Sequence, residues 1–301
     1  MNPAIATENL TRCYGRKTAV DGLTLSVPEG SIYAFLGPNG AGKTTTIKML
    51  LNILRPTGGA ATVLGVDSLR LGPDQFTRIG YVSENQQMPE WMTVRQLIDF
   101  CRPLYPTWNT ALSDKLLQSF DLPPDQKLKS LSRGMKMKAA LLTSLAYRPR
   151  LLVLDEPFTG LDALVRDEVI AGMLEVTEQE KWTVFISSHD IDDVERLADW
   201  VGVIDCGRVF LSESAASLQG RFRRIEAVSA VGARLPARPP KSWLVPEITP
   251  HRICLVESQY EEETSENRLA EVFPGAEQIA VSEMTLREIF LALARTFRIK
   301  P

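Results

Sequence analysis

The chain has 301 residues, 44% hydrophobic and 24% charged, a composition that excludes wholesale disorder and points to one large or two unequal globular domains. Its 34 basic residues against 37 acidic ones give a formal net charge of -3, so no general positive field argues for a nucleic-acid partner. The cysteines Cys13, Cys101, Cys206 and Cys254 form no CxxC, and His189 and His251 are the only histidines, which argues against a zinc site, a His-rich centre or a disulfide scaffold and for a reducing cytosol.

In chain order, Ser31 to Leu36 is an apolar run that stops at a glycine-rich turn. Ile47, Leu50, Leu51 and Leu54 then fall on one face of a helix, which Pro56-Thr57-Gly58-Gly59 ends. From about 91 to 145 the pattern is helical, broken at Pro103, Pro106 and Pro123-Pro124, as expected of a helical insertion. Leu151 to Leu154 and Thr183 to Ser187 read as buried strands, so residues 1–215 read as one α/β domain. After about 216 the composition shifts. Arg221 to Arg224 is expected at a solvated strand edge, and Pro236 to Pro240 as a stiff connector. A strand over Arg252 to Glu257, an acidic loop at Glu261 to Glu263 and a last helix complete a small α+β accessory domain over 216–301. That helix opens on a capping box, Thr285 with Glu288, and carries the stripe Leu286, Ile289, Phe290, Leu293 and Phe297. No apolar stretch is long enough to cross a bilayer and Met1 to Ala4 do not begin a signal peptide, so a membrane partner is expected to be a separate chain.

The chemistry concentrates in two motifs. Gly37-Pro38-Asn39-Gly40-Ala41-Gly42-Lys43-Thr44 fits G-x-x-x-x-G-K-[ST] in full and is followed by Thr45. Glycines let backbone N–H groups turn inward around phosphates, and the next helix points its positive end at them. Lys43 is placed to reach the β- and γ-phosphates and the Thr44 hydroxyl to hold Mg²⁺. The second motif is Asp155-Glu156 at the end of an apolar strand. Asp155 is placed to complete the Mg²⁺ shell and Glu156 to polarise an attacking water. Together they predict hydrolysis of a nucleoside triphosphate.

Leu131-Ser132-Arg133-Gly134-Met135, then Asp155-Glu156, Gly160-Leu161-Asp162 and Ser188-His189-Asp190 occur in the order in which the ATP-binding subunits of ABC (ATP-binding cassette) transporters carry their motifs. The chain resembles that family over residues 4–215. The resemblance implies a P-loop NTPase of ABC type with a helical subdomain. It implies that Tyr14 stacks on adenine and His189 senses the γ-phosphate. It implies that Ser132 and Gly134 act across a homodimer or heterodimer closed around ATP and Mg²⁺, and that Asp162 of the D-loop is among the nucleotide-binding residues. It also implies a separate membrane permease and a place at the cytoplasmic face of the membrane. Two departures stand out. The family's Q-loop glutamine falls on Glu84, which is expected at the nucleotide or its metal, and Arg133 and Met135 replace glycine and glutamine of the signature. A basic residue before Gly-Met resembles the ABC-2-type branch, often exporters with a C-terminal extension. Trp91 and Met92 fit either a groove for a permease helix or the core. A non-transport ABC ATPase acting on nucleic acid or ribosomes is the alternative, but no coiled coil separates Lys43 from Asp155 and one cassette is present. A small-molecule kinase would need neither the Ser132 motif nor His189.

Overall fold

The computed structural model describes residues 3–180, 182–228, 235, 236, 238–273 and 276–297. The chain divides into two compact units, Met1–Ser212 and Glu213–Pro301. The first opens with β1 (Pro3–Tyr14), β2 (Lys17–Pro28), β3 (Ile32–Leu36), α1 (Lys43–Leu50), β4 (Gly58–Val63) and β5 (Val66–Asp67). The short α2 (Pro73–Phe76), β6 (Ile79–Ser83) and three helices follow, α3 (Val94–Cys101), α4 (Thr110–Ser119) and α5 (Arg133–Leu145). It continues through β7 (Leu151–Asp155), α6 (Ala163–Glu180), β8 (Thr183–Ser188), β9 (Trp200–Asp205) and β10 (Arg208–Ser214).

A six-stranded sheet in the order β10-β9-β3-β8-β7-β6 is the platform of this unit. From β9 to β6 the neighbours pair in parallel. Strands buried on both faces are expected to be near-continuously apolar, and every residue of β7 and β8 is buried. Phe185 of β8 anchors the layer, fully buried, with ring centroids 5.7 Å from Tyr33 and 5.3 Å from Phe35. A second sheet, β2-β1-β4-β5, is antiparallel and packs its inward residues Ile5, Leu10, Leu23, Leu25, Val27 and Val63 into the same core. The predicted helix after the glycine turn ends earlier than the apolar pattern, because Asn52 turns into the left-handed region (φ 55) just past the cap at Leu51. Leu54 lies beyond the helix and still packs on the core. In the helical stretch α5 packs against α3, α4 and α6.

The second unit holds α7 (Ala215–Arg221), β11 (Arg223–Val228), β12 (Trp243–Thr249), β13 (Arg252–Glu257), α8 (Glu262–Val272), β14 (Gln278–Glu283) and α9 (Leu286–Phe297). Its antiparallel sheet runs β12-β13-β11-β14 around Ile225, Trp243, Ile253, Leu255 and Leu269. Two expectations change here. The acidic segment is the start of helix α8 rather than a loop, with Glu261 as its N-cap residue and Glu262 in its first turn, where carboxylates favour the helix dipole. The arginine run is not a strand edge: Arg221 ends α7 and pairs with Glu213, Phe222 is buried, and β11 is an interior strand. The capping box of α9 is present, with Thr285 Oγ1 accepting from Glu288 N at 3.2 Å and Glu288 Oε2 from Thr285 N at 2.9 Å. Leu286, Ile289 and Phe290 are buried, while Ala237 of the connector and the Phe297 side chain lie outside the described residues.

Deleting the Phe185 ring should leave a cavity between two aromatic neighbours. Phe185→Ala is expected to destabilise the first unit by about 3–5 kcal/mol, read from its transition in denaturant unfolding.

Candidate functional site

Strand register brings the predicted motifs to one edge of the sheet. Leu36 pairs with Ser188, and Asp155 pairs with both Ser187 and Ser83. The residues that follow these strand ends, Gly37, Glu84, Glu156 and His189, therefore emerge side by side at the carboxyl ends of parallel strands, where open α/β sheets bind ligands.

The loop from Gly37 to Gly42 wraps into α1. Gly42 holds φ 110, and a Cβ there would lie 2.6 Å from the Ala19 carbonyl, so the conformation and the space both require glycine. Gly37 is held by its N–H to Ser188 O at 3.2 Å, and Ala41 N donates to Pro38 O at 3.1 Å. The Lys43 ammonium, buried in the loop, donates to the carbonyls of Gly37 and Pro38 and lies 3.0 Å from Glu156 Oε1. The loop borders a cavity of about 430 Å³. Asn39, Gly40, Gly42, Lys43, Thr44 and Thr45 line it, together with Tyr14, Lys17, Ala19, Glu84 and Glu156. Tyr14 is half exposed there, with the Arg12 guanidinium 4.7 Å from its ring centroid.

The two acids are treated oppositely by their surroundings. Asp155 accepts from Thr44 Oγ1 at 3.0 Å and from Ser187 Oγ at 2.8 Å. Burial raises its pKa, opposed by those two hydrogen bonds and reinforced by the neighbouring Glu156 charge. Glu156 stands in the left-handed region at φ 53, unusual for a non-glycine residue, and its N–H donates to the Ser187 carbonyl and hydroxyl. Its Oε2 meets His189 Nδ1 at 2.8 Å and accepts from Thr159 Oγ1 at 3.1 Å. Burial alone would push this carboxyl up, but the His189 hydrogen bond and the Lys43 charge outweigh it and hold it below the usual glutamate value. A carboxylate kept ionised beside a cationic, N–H-rich loop can accept a proton or orient a water next to a bound phosphate.

Among the described residues no cluster of three His, Cys, Asp or Glu side chains is suited to hold a metal ion. The hydroxyl of Thr44 and the carboxylate of Asp155 are hard oxygen donors already within hydrogen-bond reach of each other. Such a pair fits Mg²⁺, which keeps much of its shell from water and phosphate oxygens and takes few protein ligands.

Ser132, Gly134 and Asp162 do not line this cavity. Ser132 caps α5, its Oγ accepting from Met135 N at 3.2 Å, and is exposed. Gly134 is buried with no room for a Cβ against Val165, and Asp162 is exposed and caps α6 through Val165 N at 2.9 Å. Glu84 lines the cavity, yet its carboxylate accepts from Arg133. Met92 is buried and Trp91 is 68% exposed. Sequence reasoning overlooked Ser187 and Thr159, which orient the two acids. Ser187 was visible as a hydroxyl directly after the apolar run Val184 to Ile186, whereas nothing in the sequence marked Lys17 or Ala19.

A sequence profile of the family described as ABC transporter matches residues 20–159. The bacitracin transport ATP-binding protein BcrA of Bacillus licheniformis is 34% identical over 226 residues, 74% of each chain. The daunorubicin/doxorubicin resistance ATP-binding protein DrrA of Streptomyces peucetius is 37% identical over 221 residues, 72% of this chain and 67% of that one. The solved structure of an ATP-binding subunit of an ABC transporter superposes with a TM-score of 0.65 at 25% identity, covering 72% of this chain and 92% of that one. A dimeric bacterial ABC transporter cassette gives 0.63 at 21% identity over 70% and 98%, a likeness of fold.

Because the folded pKa of Glu156 is lowered, its ionised form adds stability above the ordinary carboxylate range, and that increment disappears as pH falls through the folded value. Thermal unfolding of wild type and Glu156→Gln should show the wild type gaining on the variant as pH rises from about 3 to 6. A difference independent of pH would contradict this linkage.

Proposed function

The chain belongs to the ABC transporter ATP-binding family, and from that premise we propose that it pairs with a second such subunit around two Mg²⁺-bound ATP molecules and powers a separate permease that exports its cargo. It is an ATP-binding ATPase subunit of the kind named in its relatives. The observation that carries the fuller reading is the division of the site. Lys43, Thr44 and Glu156 line one cavity, with Thr44 bonded to Asp155 and Glu156 to His189, while Ser132, Gly134 and Asp162 are absent from its lining.

In this reading Tyr14 stacks on adenine at the rim, and the backbone N–H groups of the Gly37 to Thr45 turn receive the phosphates with the dipole of α1 behind them. Lys43 binds the terminal phosphates. Thr44 and Asp155 would hold Mg²⁺, which when bound neutralises developing charge on the phosphate oxygens. Glu156 orients the attacking water and His189 holds that carboxylate in place. The α5 cap uses an acceptor position of Ser132 and leaves its O–H as a donor, so Ser132 and the Gly134 N–H act on ATP held by the other subunit.

No described helix is long and apolar enough to cross a membrane, so the spanning part belongs to the permease in this reading and the subunit sits at its cytoplasmic face. The names of the relatives, one in bacitracin transport and one in daunorubicin/doxorubicin resistance, support export as the direction.

Glu156→Gln should bind ATP with near-wild-type affinity, lose about 10²- to 10⁴-fold in turnover and accumulate as an ATP-dependent dimer on gel filtration. Phosphate release close to the wild-type rate would remove Glu156 from its proposed role. Radiolabel passing from ATP to an acceptor, rather than to free phosphate, would overturn the hydrolytic reading itself.

A further inference from the structure

Two of the three residues that depart from the resembled motifs, Arg133 and Glu84, are bonded to each other. Arg133 Nη2 donates to Glu84 Oε1 at 2.6 Å. Glu84 follows β6 at the cavity wall, with its backbone N–H fixed to Asp155 O at 2.9 Å. Arg133 is the first residue of α5, directly after the capping Ser132. Its guanidinium lies on the turn at Gly160, where a Cβ would come within 2.6 Å of Nη1 at a backbone φ of +71. One residue earlier, Thr159 Oγ1 donates to Glu156 Oε2 at 3.1 Å. A single side chain thus touches the cavity wall, the start of the signature helix and the loop that orients Glu156, all within one chain.

We propose that Arg133 is a positioning residue for nucleotide binding in its own subunit, acting through Glu84. A carboxylate on the wall of a cavity that takes a polyanion repels the ligand, and a guanidinium on that carboxylate cancels the repulsion and holds the group at the wall. The side chains are 49% and 30% exposed, and ion pairs so exposed contribute little to folding, so the effect of the pair falls on the ligand rather than on stability. Without the guanidinium the Glu84 charge penalises a triphosphate more than a diphosphate. This inference rests on the ATP-binding reading and adds to it a cis role for a signature residue, one that acts before any second subunit arrives.

The test is binding of fluorescent ATP and ADP analogues to the full-length protein at a concentration low enough to keep it monomeric. The set comprises wild type, Arg133→Gln, Arg133→Lys, Glu84→Gln and the double variant Glu84→Gln/Arg133→Gln, each checked for an unchanged circular dichroism spectrum. Arg133→Gln should weaken ATP binding by about three- to tenfold and ADP binding by less, and the deficit should shrink as salt rises from about 0.05 to 0.5 M. Arg133→Lys should bind close to wild type, and the double variant should return to within about twofold of Glu84→Gln. Arg133→Gln binding ATP as wild type does, or a double variant as weak as Arg133→Gln alone, overturns the proposal and leaves Arg133 to a role across the subunit pair. A wild-type protein that binds neither nucleotide would instead defeat the ATP-binding reading beneath it.

Discussion

The Glu156 carboxylate is shared between the Lys43 ammonium and the His189 ring, on a backbone held in the left-handed region, and the rest of the site is arranged around that contact. A glutamate at φ 53 is held against its own preference, and such a conformation persists only when its surroundings over-determine it. Here they do. Its N–H is tied to Ser187 and its side chain is fixed at both oxygens, by Lys43 on one and by His189 and Thr159 on the other. The strain turns the chain abruptly at the end of β7, which points one acid toward Thr44 and the next toward His189. Two adjacent carboxylates thereby acquire different characters, one desolvated and satisfied by hydroxyls, the other held ionised by the His189 hydrogen bond and the Lys43 charge.

This arrangement is only as good as the sheet beneath it. Five parallel strands form the platform, and a slip of one residue would carry each strand's side chains to the opposite face of a tightly packed sheet, so packing fixes the register. Register in turn fixes which residues emerge together at the carboxyl ends. The glycine loop, the two acids, His189 and Glu84 come from segments far apart in sequence, yet each begins at or just past a strand end paired with its neighbour's. Apolar strand interiors set stability, and the few residues just past them set chemistry.

Much of this could be read from residues because local signals and tertiary demands agree. The strand before Gly37, the glycine turn, the acids closing β7 and the capping box of α9 each announce themselves through apolar runs and turn or cap residues. The antiparallel sheet of the first unit was harder. β1 mixes Thr7, Glu8, Asn9 and Arg12 into its apolar positions and pairs through repeated register shifts, which erases a two-residue period. β2 did carry one, with Leu23, Leu25 and Val27 buried and their neighbours exposed. The acidic start of α8 reads as a loop by composition, although carboxylates in a first turn favour a helix. The arginine run misled because Phe222 alone anchors it inward, and one aromatic is a weak signal. Contacts between distant residues, such as Arg133 with Glu84 or Ser187 with Asp155, have no sequence period and come only from the fold.

In the proposed pairing a single chain holds only part of each site. Its cavity gathers groups able to bind and cleave a triphosphate, while the signature helix start, with Ser132 exposed at its tip, is outside that cavity. If two subunits must complete each other's sites, catalysis is a property of the pair. Specific ATPase activity of the purified protein, measured across a dilution series spanning the monomer–dimer equilibrium, tests this most directly. Activity per chain should climb with concentration and level off once ATP-bound dimers dominate. A constant activity per chain, down to concentrations where only monomers exist, would contradict the account.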